Sequence, residues 1–190
     1  MGVGVEPLKI WEFGNLVIWA SEDFHISKFT DFQMPKNPYA DDLGSLDPLK
    51  ALAETPKKIH RLVEKWTKRR WEKSYAPGKW SARRIIIHLA QAEIALTTRV
   101  RFAASQDGYV AQPFNQDDWI ALDDHADAQT ALDAYTALRR LNVAMFKGMT
   151  PQQRSRPFTH PEFGDLTPEW VAAQLAGHDI HHLKQLQQIK

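Results

Sequence analysis

"TPEWVAAQLAGHDIHHLKQLQQIK", residues 167–190, is the stretch that decides how this chain folds. It opens with Thr167 and Pro168, a capping side chain followed by a first-turn proline, which is a common start for a helix. The apolar residues that follow recur at helical spacing and form one stripe: Val171, Leu175, Leu186 and Ile189. His178 and His182 fall in the same stripe, so the sequence predicts a helix that directs two imidazoles into the core.

Two histidines one helical turn apart are spaced to bind one metal ion together. His178 and His182 have this spacing, and burying them is costly unless each ring gains a partner, which a metal ion would provide. His181 lies about 100° away from the stripe, so we expect it to be a bystander. A pair of hydrogen-bonded core histidines without metal is the alternative that the spacing alone leaves open.

A second amphipathic helix is predicted in "KWSARRIIIHLAQAEIALTTRVRFAA", residues 79–104. Its inward stripe is Ile85, Leu89, Ala92, Leu96 and Val100. Ser81 is the expected N-cap, and Trp80 is placed to pack on the first residue of the stripe as a hydrophobic staple. His88 lies at the edge of the stripe and is the natural third metal ligand. Glu93 is about 140° further round the helix, so we expect it to have a supporting or structural role.

Two more helices complete the predicted fold. In chain order, the first helix of the bundle follows Asp47–Pro48 and Thr55–Pro56, which each place a capping residue before a proline. Its apolar residues are Ile59, Leu62, Val63 and Trp66. The third spans residues 126–149, and its inward face is Ala131, Tyr135, Leu138, Asn142, Met145 and Met149. We expect residues 105–124 to form a loop and the stretch from Thr150 to connect to the last helix. Four helices without a convincing strand pattern predict an all-α protein, a four-helix bundle.

Composition limits what the chain could be. Its 190 residues, 43% of them hydrophobic, are enough for one domain with a substantial core. Because there is no cysteine, any metal must be held by nitrogen or oxygen, and a reducing cytosol is a compatible location. The net charge of +1 gives no overall attraction to nucleic acid, so we expect the basic run in residues 57–70 to be a solvated helix face.

Residues 1–33 differ from the rest and are expected to be an appendage to a domain formed by residues 34–190. They lack the pattern of a signal peptide, and their apolar run is too short to span a bilayer. Several of their residues would fit a docked strand or an extra helix: Trp11, Phe13, Val17 and Trp19. Met34 is a candidate alternative start.

Several segments together resemble one known family. They are the second helix, "PFNQDDWIA" (residues 113–121) and "HPEFGDLTPEWVAAQLAGHDIHHLKQLQQI" (160–189), preceded by "NPYADDLGSLDPLKALAETPKKI" (37–59). The combination of His-Leu-Ala on the second helix with Gly-His-Asp-x-x-His-Leu on the last is its most specific part. The chain thereby resembles the DinB/YfiT-like superfamily of proposed metalloenzymes, from about Pro35 to the C-terminus.

The resemblance implies a four-helix bundle, often dimeric, that binds a divalent metal such as zinc or nickel through three histidines. Matched position by position, these are His88, His178 and His182. Some relatives use low-molecular-weight thiols in transfer or isomerisation and others are described as hydrolases, so the resemblance does not fix the reaction. Arg84 departs from the relatives, which commonly carry an acidic residue there to complete a capping box with Ser81.

Three neutral imidazoles leave a metal ion with an open position, where it lowers the pKa of bound water or thiol. Transfer of a small thiol to an electrophile is the first hypothesis, with the thiol supplied by a cosubstrate. Hydrolysis by metal-bound hydroxide is the second, and a non-catalytic metal-binding stress-response protein is the third. The expected partners are a small-molecule substrate and a second copy in a homodimer, with no nucleic acid or membrane, in the cytoplasm.

Overall fold

The computed structural model describes Trp11–Phe13, Leu16–Ile18 and residues 34–190. Trp11–Phe13 (β1) and Leu16–Ile18 (β2) pair as antiparallel strands, with Trp11 opposite Ile18. Of the two predictions for residues 1–33, a strand or an extra helix, these positions therefore show strand. Trp19 lies outside the described residues. The predicted domain boundary after residue 33 stays a prediction.

From residue 34 onward the chain is mostly helical. The helices are α1 (Ala40–Leu43), α2 (Pro48–Val63), α3 (Lys68–Trp71), α4 (Ala82–Ser105), α5 (Gln116–Asp123), α6 (Ala128–Gly148), α7 (Pro151–Ser155) and α8 (Pro168–Gln188). A small antiparallel hairpin, β3 (Phe158–His160) and β4 (Gly164–Leu166), precedes α8. The four long helices α2, α4, α6 and α8 form the predicted four-helix bundle, which is confirmed. None of the described helices combines the length and the apolar character that crossing a bilayer requires.

The order of the helices round the bundle differs from their order in the chain. Helix α2 packs against α6 and α8, and α4 packs against the same two helices. Helices α2 and α4, which are consecutive among the long helices, are therefore diagonal to one another, whereas α4 and α6 are neighbours. As a consequence α4 and α8, which carry the three candidate ligands, are direct neighbours.

The predicted N-caps are found at three of the long helices. Asp47, Ser81 and Thr167 each accept a hydrogen bond from the backbone N–H three residues on, which satisfies a donor that the helix start leaves free. The departure at Arg84 does not remove its cap. The Ser81 hydroxyl accepts from the Arg84 N–H, while the Arg84 guanidinium turns away to pair with Asp124 at 2.6 Å.

The predicted cap at Thr55–Pro56 is wrong, because both residues lie inside α2. The Thr55 hydroxyl donates to the Ala51 carbonyl at 2.9 Å and does not cap a helix start. Pro56 has no N–H, so the Leu52 carbonyl loses its helical partner. The Arg139 guanidinium of α6 reaches that carbonyl with a long hydrogen bond of 3.5 Å. A tertiary contact thus accommodates a proline that the local pattern interpreted as a helix start.

Other boundaries also need correction. Residues 105–124 are not a loop throughout, since Asn115 caps the short helix α5 by accepting from the Asp117 and Asp118 N–H groups. The connection from Thr150 contains α7, with a capping box, and the β3–β4 hairpin. On α6, Leu138 and Met145 are only half-buried, whereas Leu132, Arg139, Val143 and Phe146 are buried.

A layer of polar side chains crosses the bundle between two apolar clusters. One cluster is built from residues such as Val100, Phe146 and Leu175, and the other from residues such as Ile59 and Leu186. Along α4, α6 and α8 the buried polar side chains fall between the two clusters: His88, Gln91, Glu93, Arg139, Asn142, His178, Asp179 and His182. The candidate site therefore lies within a polar layer in the middle of the core.

Candidate metal centre

Three imidazoles meet in this layer. The Nε2 atoms of His88 and His178 are 2.8 Å apart, and those of His178 and His182 are 3.0 Å apart. All three rings are buried, and one ring nitrogen from each lies within 4.8 Å of the others. The structure thus brings together the three residues that the sequence selected, and within residues 34–190 no other group of this kind is found.

His182 is held in one orientation and one tautomer. Its Nδ1 lies 2.8 Å from Gln185 Oε1, which can only accept, so the ring proton is on Nδ1 and the Nε2 lone pair is free. The Gln185 amide nitrogen donates to the Tyr75 hydroxyl and to His181, which fixes the amide. Gln185 was not selected from the sequence, although its position three residues after His182 is a signal that could have indicated it.

Neutral histidines alone cannot satisfy this arrangement. His178 Nε2 faces the Nε2 atoms of both His88 and His182, and a neutral ring nitrogen is either a donor or an acceptor. His182 Nε2 carries a lone pair. If His178 Nε2 is protonated, it has one proton for two neighbouring nitrogens. If it is not, its lone pair faces the lone pair of His182 Nε2. A cation between the three atoms removes the conflict.

Burial keeps two of the three rings, His88 and His182, neutral. It lowers the pKa of the His88 imidazole to about 3, with the neighbouring His178 adding to the effect. Burial also lowers the pKa of His182 well below its usual value, again with His178 and His88 adding to the effect. Neutral imidazoles are the form that binds metal, so the environment prepares these rings as ligands.

The separation of the nitrogens also suits an ion. Two nitrogens bound to a tetrahedral zinc ion at the usual bond length lie about 3.3 Å apart. The two measured Nε2 separations, 2.8 Å and 3.0 Å, are slightly shorter, so side-chain rotation alone could open the group around an ion. The donor set is three nitrogens without a cysteine, which suits a first-row divalent ion.

Behind His178 lies a buried ionic network. The Arg139 guanidinium pairs with Glu93 and also, at 2.7 Å, with Asp179, while the Tyr135 hydroxyl donates to Asp179 at 2.6 Å. Burial opposes ionisation of Asp179, but the charge of Arg139 outweighs it, so the pKa of the Asp179 carboxyl is lowered. Glu93 thus has the structural role expected for it, and Arg139 and Asp179 are residues that the sequence reasoning missed.

Asp179 is placed to support His178. Its Oδ1 lies 3.9 Å from His178 Nδ1, beyond hydrogen-bond range, and neither atom has another partner in the described residues. Metal-bound histidines usually donate their second N–H to a carboxylate or carbonyl, which fixes the ring and raises its basicity. A small rotation of His178 toward Asp179 would complete that pair.

Aromatic rings cover the group on two sides. The Trp80 ring lies 4.9 Å from the ring of His88, and its Nε1 donates to Asp117. Trp80, the predicted hydrophobic staple, packs against the apolar cluster that contains Ile85 and is also a wall of the site. The Tyr39 ring meets the edge of His178 at 5.1 Å. Gly177 permits this approach, because a Cβ there would lie only 2.7 Å from the Tyr39 Cβ.

His181 is separate from the cluster. Its side chain is 40% exposed, and its Nδ1 lies 3.1 Å from Asp42 Oδ2. Lys184 also pairs with Asp42, at 2.7 Å. His181 therefore links α8 to α1 on the surface, and it contacts the Gln185 amide that orients His182. That it does not bind the metal stays a prediction.

Two cavities reach the histidine group. The first, about 140 Å³, is lined by His88 and His178 together with Tyr39, Arg99, His160 and Glu162. The second, about 340 Å³, is lined by His182, Trp80 and Gln185. The group is thus buried in the core and yet borders two cavities that could admit small molecules.

Fold and site together define a four-helix bundle whose buried three-histidine group is suited to one divalent metal ion. Residues 51–186 match the sequence profile of the DinB superfamily. This match covers more than half of the chain, so the chain belongs to the DinB superfamily, as the resemblance in the sequence indicated.

Curated relatives share this region. A protein of Oceanobacillus iheyensis named "Putative metal-dependent hydrolase" is 25% identical over 133 residues, which cover 70% of this chain and 77% of the relative. YfiT of Bacillus subtilis carries the same description and is 25% identical over 144 residues, covering 74% of this chain and 81% of YfiT.

Solved structures share the fold. The structure of Bacillus subtilis YfiT, described as a probable metal-dependent hydrolase with an unusual four-helix bundle topology, superposes with a TM-score of 0.70 at 23% identity, covering 84% of this chain and 90% of YfiT. A mycothiol-dependent maleylpyruvate isomerase has a TM-score of 0.60 at 14% identity, covering 73% of this chain and 59% of the isomerase. At these identities the likeness concerns the fold alone.

Proposed function

We propose that this protein is a divalent-metal-dependent enzyme that transfers a low-molecular-weight thiol to an electrophilic small molecule, with His88, His178 and His182 as the metal ligands. The observation that carries the proposal is the convergence of three buried imidazole nitrogens beside a cavity. When bound there, a divalent ion would lower the pKa of a thiol and so supply a nucleophile at neutral pH.

The residues of the chain have separate tasks in this reaction. Gln185 keeps the His182 Nε2 lone pair directed at the ion, and Asp179 would orient His178 through its Nδ1. Trp80 and Tyr39 limit the water around the group, which strengthens electrostatic interactions inside the site.

Two features favour thiol transfer. The chain has no cysteine, so a sulfur nucleophile would have to enter as a cosubstrate. The two cavities lined by members of the histidine group suit a reaction with two reactants, one entering beside His178 and the other beside His182. The mycothiol-dependent isomerase shares the fold of this chain.

Hydrolysis is the second candidate, and a specific observation favours it. The curated relatives are named as metal-dependent hydrolases. Glu162 is an exposed carboxylate that lines the smaller cavity, where it could take a proton from water as a general base. In this alternative the same three histidines hold the metal ion.

The identity of the ion is a finer point of the proposal. We favour zinc or nickel, and a three-nitrogen site can accept several first-row ions. Elemental analysis of protein purified without added metal measures which ion it acquires. The homodimer, the cytoplasmic location and the absence of nucleic-acid partners remain predictions.

Activity assays separate the candidates. Metal-loaded protein is incubated with an electrophile such as monobromobimane, with and without a small thiol, and separately with a panel of esters and amides. Consumption of the electrophile that needs both thiol and protein supports transfer, and ester or amide turnover without thiol supports hydrolysis. Both activities should vanish in His88→Ala and persist in His181→Ala, the matched control. If a fully loaded protein does neither, the non-catalytic alternative replaces the proposal.

A further inference from the structure

Arg99 carries a buried charge that forms no ion pair within the described residues. It lies on α4, is 7% exposed, and lines the same small cavity as His88 and His178. Its one hydrogen bond within the described residues runs from Nη2 to the Gln112 carbonyl at 2.6 Å, and it makes no ion pair with any described carboxylate. A guanidinium has five N–H donors, so most of its hydrogen-bonding capacity remains free.

A buried charge without an ion pair is costly, which makes the position of Arg99 informative. The other deeply buried arginine, Arg139, is paired with both Glu93 and Asp179. Arg99 instead packs near the Phe114 ring, 5.6 Å from its centroid, and directs its free donors toward the cavity. Glu162 lines the same cavity and acts on Arg99 from beyond ion-pair distance, so the ion-pair position at the guanidinium is open to a ligand.

His160 adds a second donor beside it. Its Nδ1 accepts the Glu162 backbone N–H at 3.2 Å, so the proton of the neutral ring is on Nε2. The ring is buried and lines the same cavity as Arg99. Burial and the charge of Arg99 lower the pKa of His160, which keeps the ring neutral and able to donate from Nε2.

We propose that Arg99, assisted by His160, binds a carboxylate of the substrate at the end of the cavity away from the three histidines. The inference rests on the proposed function, since it assumes that the reacting end of the same molecule lies at the metal. The planar guanidinium fork matches a carboxylate and can bind it with two parallel hydrogen bonds. The site is thus specific for substrates that carry an anionic group.

Geometry sets the length of such a molecule. His88 and Arg99 are eleven residues apart on α4, which at the helical rise corresponds to about 16 Å. Long helical side chains lean toward the N-terminus, so the Arg99 guanidinium lies nearer to His88 than its Cα does. A chain of several carbons between the reacting atom and the carboxylate is therefore needed.

Two probes of equal length test the inference. Mercaptohexanoate and mercaptohexanol carry the same thiol and differ in the carboxylate. Cobalt-loaded protein reports sulfur binding through its visible and near-ultraviolet absorption, and calorimetry reports the affinity of each compound. We expect the native protein to bind the carboxylate compound at least about tenfold more tightly.

The variants decide whether Arg99 is responsible. Arg99→Gln should remove the preference, and Arg99→Lys should retain part of it. Arg101→Gln is the matched control, because Arg101 lies on the same helix but donates to Thr97 and Asn142 away from the cavity. Glu162→Gln should strengthen carboxylate binding, since it removes a negative charge from the cavity lining. Circular dichroism checks that each variant folds, and Arg99→Lys keeps the test valid if Arg99→Gln does not.

Each outcome has a definite meaning. Equal affinity of the native protein for the two compounds overturns the inference, and so does a preference that survives in Arg99→Gln. If neither thiol changes the cobalt spectrum, the proposed thiol chemistry fails. In that case the calorimetric preference for the carboxylate, and its loss in Arg99→Gln, still decides the role of Arg99.

Discussion

Arg139 of α6 forms an ion pair of 2.7 Å with Asp179 of α8, the residue that directly follows the candidate ligand His178. Because Arg139 also pairs with Glu93 of α4, one guanidinium connects the three helices behind the metal centre. Burial lowers the pKa of Arg139, but its carboxylate partners raise it by more. The pKa is therefore above its usual value, and Arg139 stays charged.

Replacing Arg139 by methionine should destabilise the protein strongly. The change leaves Glu93 and Asp179 as buried carboxylates without a counter-charge, and breaking one side of a buried ion pair costs about 3–5 kcal/mol. Urea unfolding measures the difference. Arg140→Met, at the exposed neighbouring position, is the control and should change stability by about 0.5 kcal/mol or less. A loss below about 1 kcal/mol in Arg139→Met would contradict the importance of the network.

The ligand assignment predicts metal content. Alanine at His88, His178 or His182 should abolish stoichiometric divalent metal, whereas His181→Ala should retain most of it. Adding the metal should raise the melting temperature of the native protein and not that of the three ligand variants, because an ion that binds the folded state stabilises it by mass action. Elemental analysis and thermal melts provide the measurements. Equal metal loss in all four variants would refute the assignment.

The metal-free protein should become less stable as the pH falls below about 6.5. His88 has a pKa of about 3 in the fold, against about 6.5 in an unfolded chain. Between these values the unfolded chain binds a proton that the folded ring does not, so the stabilisation is complete above pH 6.5 and is lost toward pH 3. Each such histidine contributes a slope of about 1.4 kcal/mol per pH unit, and the lowered pKa of His182 acts in the same direction.

Thermal melts at several pH values, in the presence of a chelator, measure this slope. His88→Leu should make it shallower between pH 6 and pH 5. The exposed His125 provides a matched control, since His125→Leu should leave the slope unchanged. A metal-free protein whose melting temperature is the same at pH 7 and pH 5 would show that His88 and His182 are not held neutral.

Gly177→Ala should disturb the cover of the site. The new Cβ would lie 2.7 Å from the Tyr39 Cβ, so α1 or Tyr39 must move away from His178. Overpacking of this kind costs about 1–3 kcal/mol. Gly148→Ala is the control, because a Cβ there meets no atom within 4 Å. Unchanged stability in Gly177→Ala, measured by urea unfolding, would mean that Tyr39 adapts without cost.

A shortened chain that begins at Met34 should fold and bind metal. All the residues assigned to the site lie between Tyr39 and Gln185, and both apolar clusters lie within residues 43–189. Expression of this shortened chain, followed by metal analysis and a thermal melt, tests the predicted domain boundary. An insoluble or metal-free product would show that residues 1–33 belong to the fold.

The sequence predicted what depends on periodicity. The buried stripe of α8, the cap at Thr167 and the positions of His178, His182 and His88 all follow from local spacing, and the structure places them as predicted. The same reasoning failed at Thr55, where a proline inside a helix gives the same local pattern as a helix start.

Periodicity could not identify the tertiary partners that surround the candidate site. An arginine such as Arg139 usually marks the solvent side of a helix, and only the positions of Glu93 and Asp179 on other helices allow its burial. Arg99 was overlooked for the same reason, since its burial depends on the loop carbonyl of Gln112. Contacts between distant parts of the chain are set by tertiary packing, which periodicity does not describe.

The separation of His88 and His178 by 90 positions governs the order of assembly. A growing chain that has produced α2, α4 and α6 contains only one of the three ligands, so it cannot yet retain an ion. Helix α8 brings the other two at the very end of synthesis. The ion would therefore bind last and would join two helices that are far apart in the sequence. A nascent chain truncated before His178 would remain without an ion.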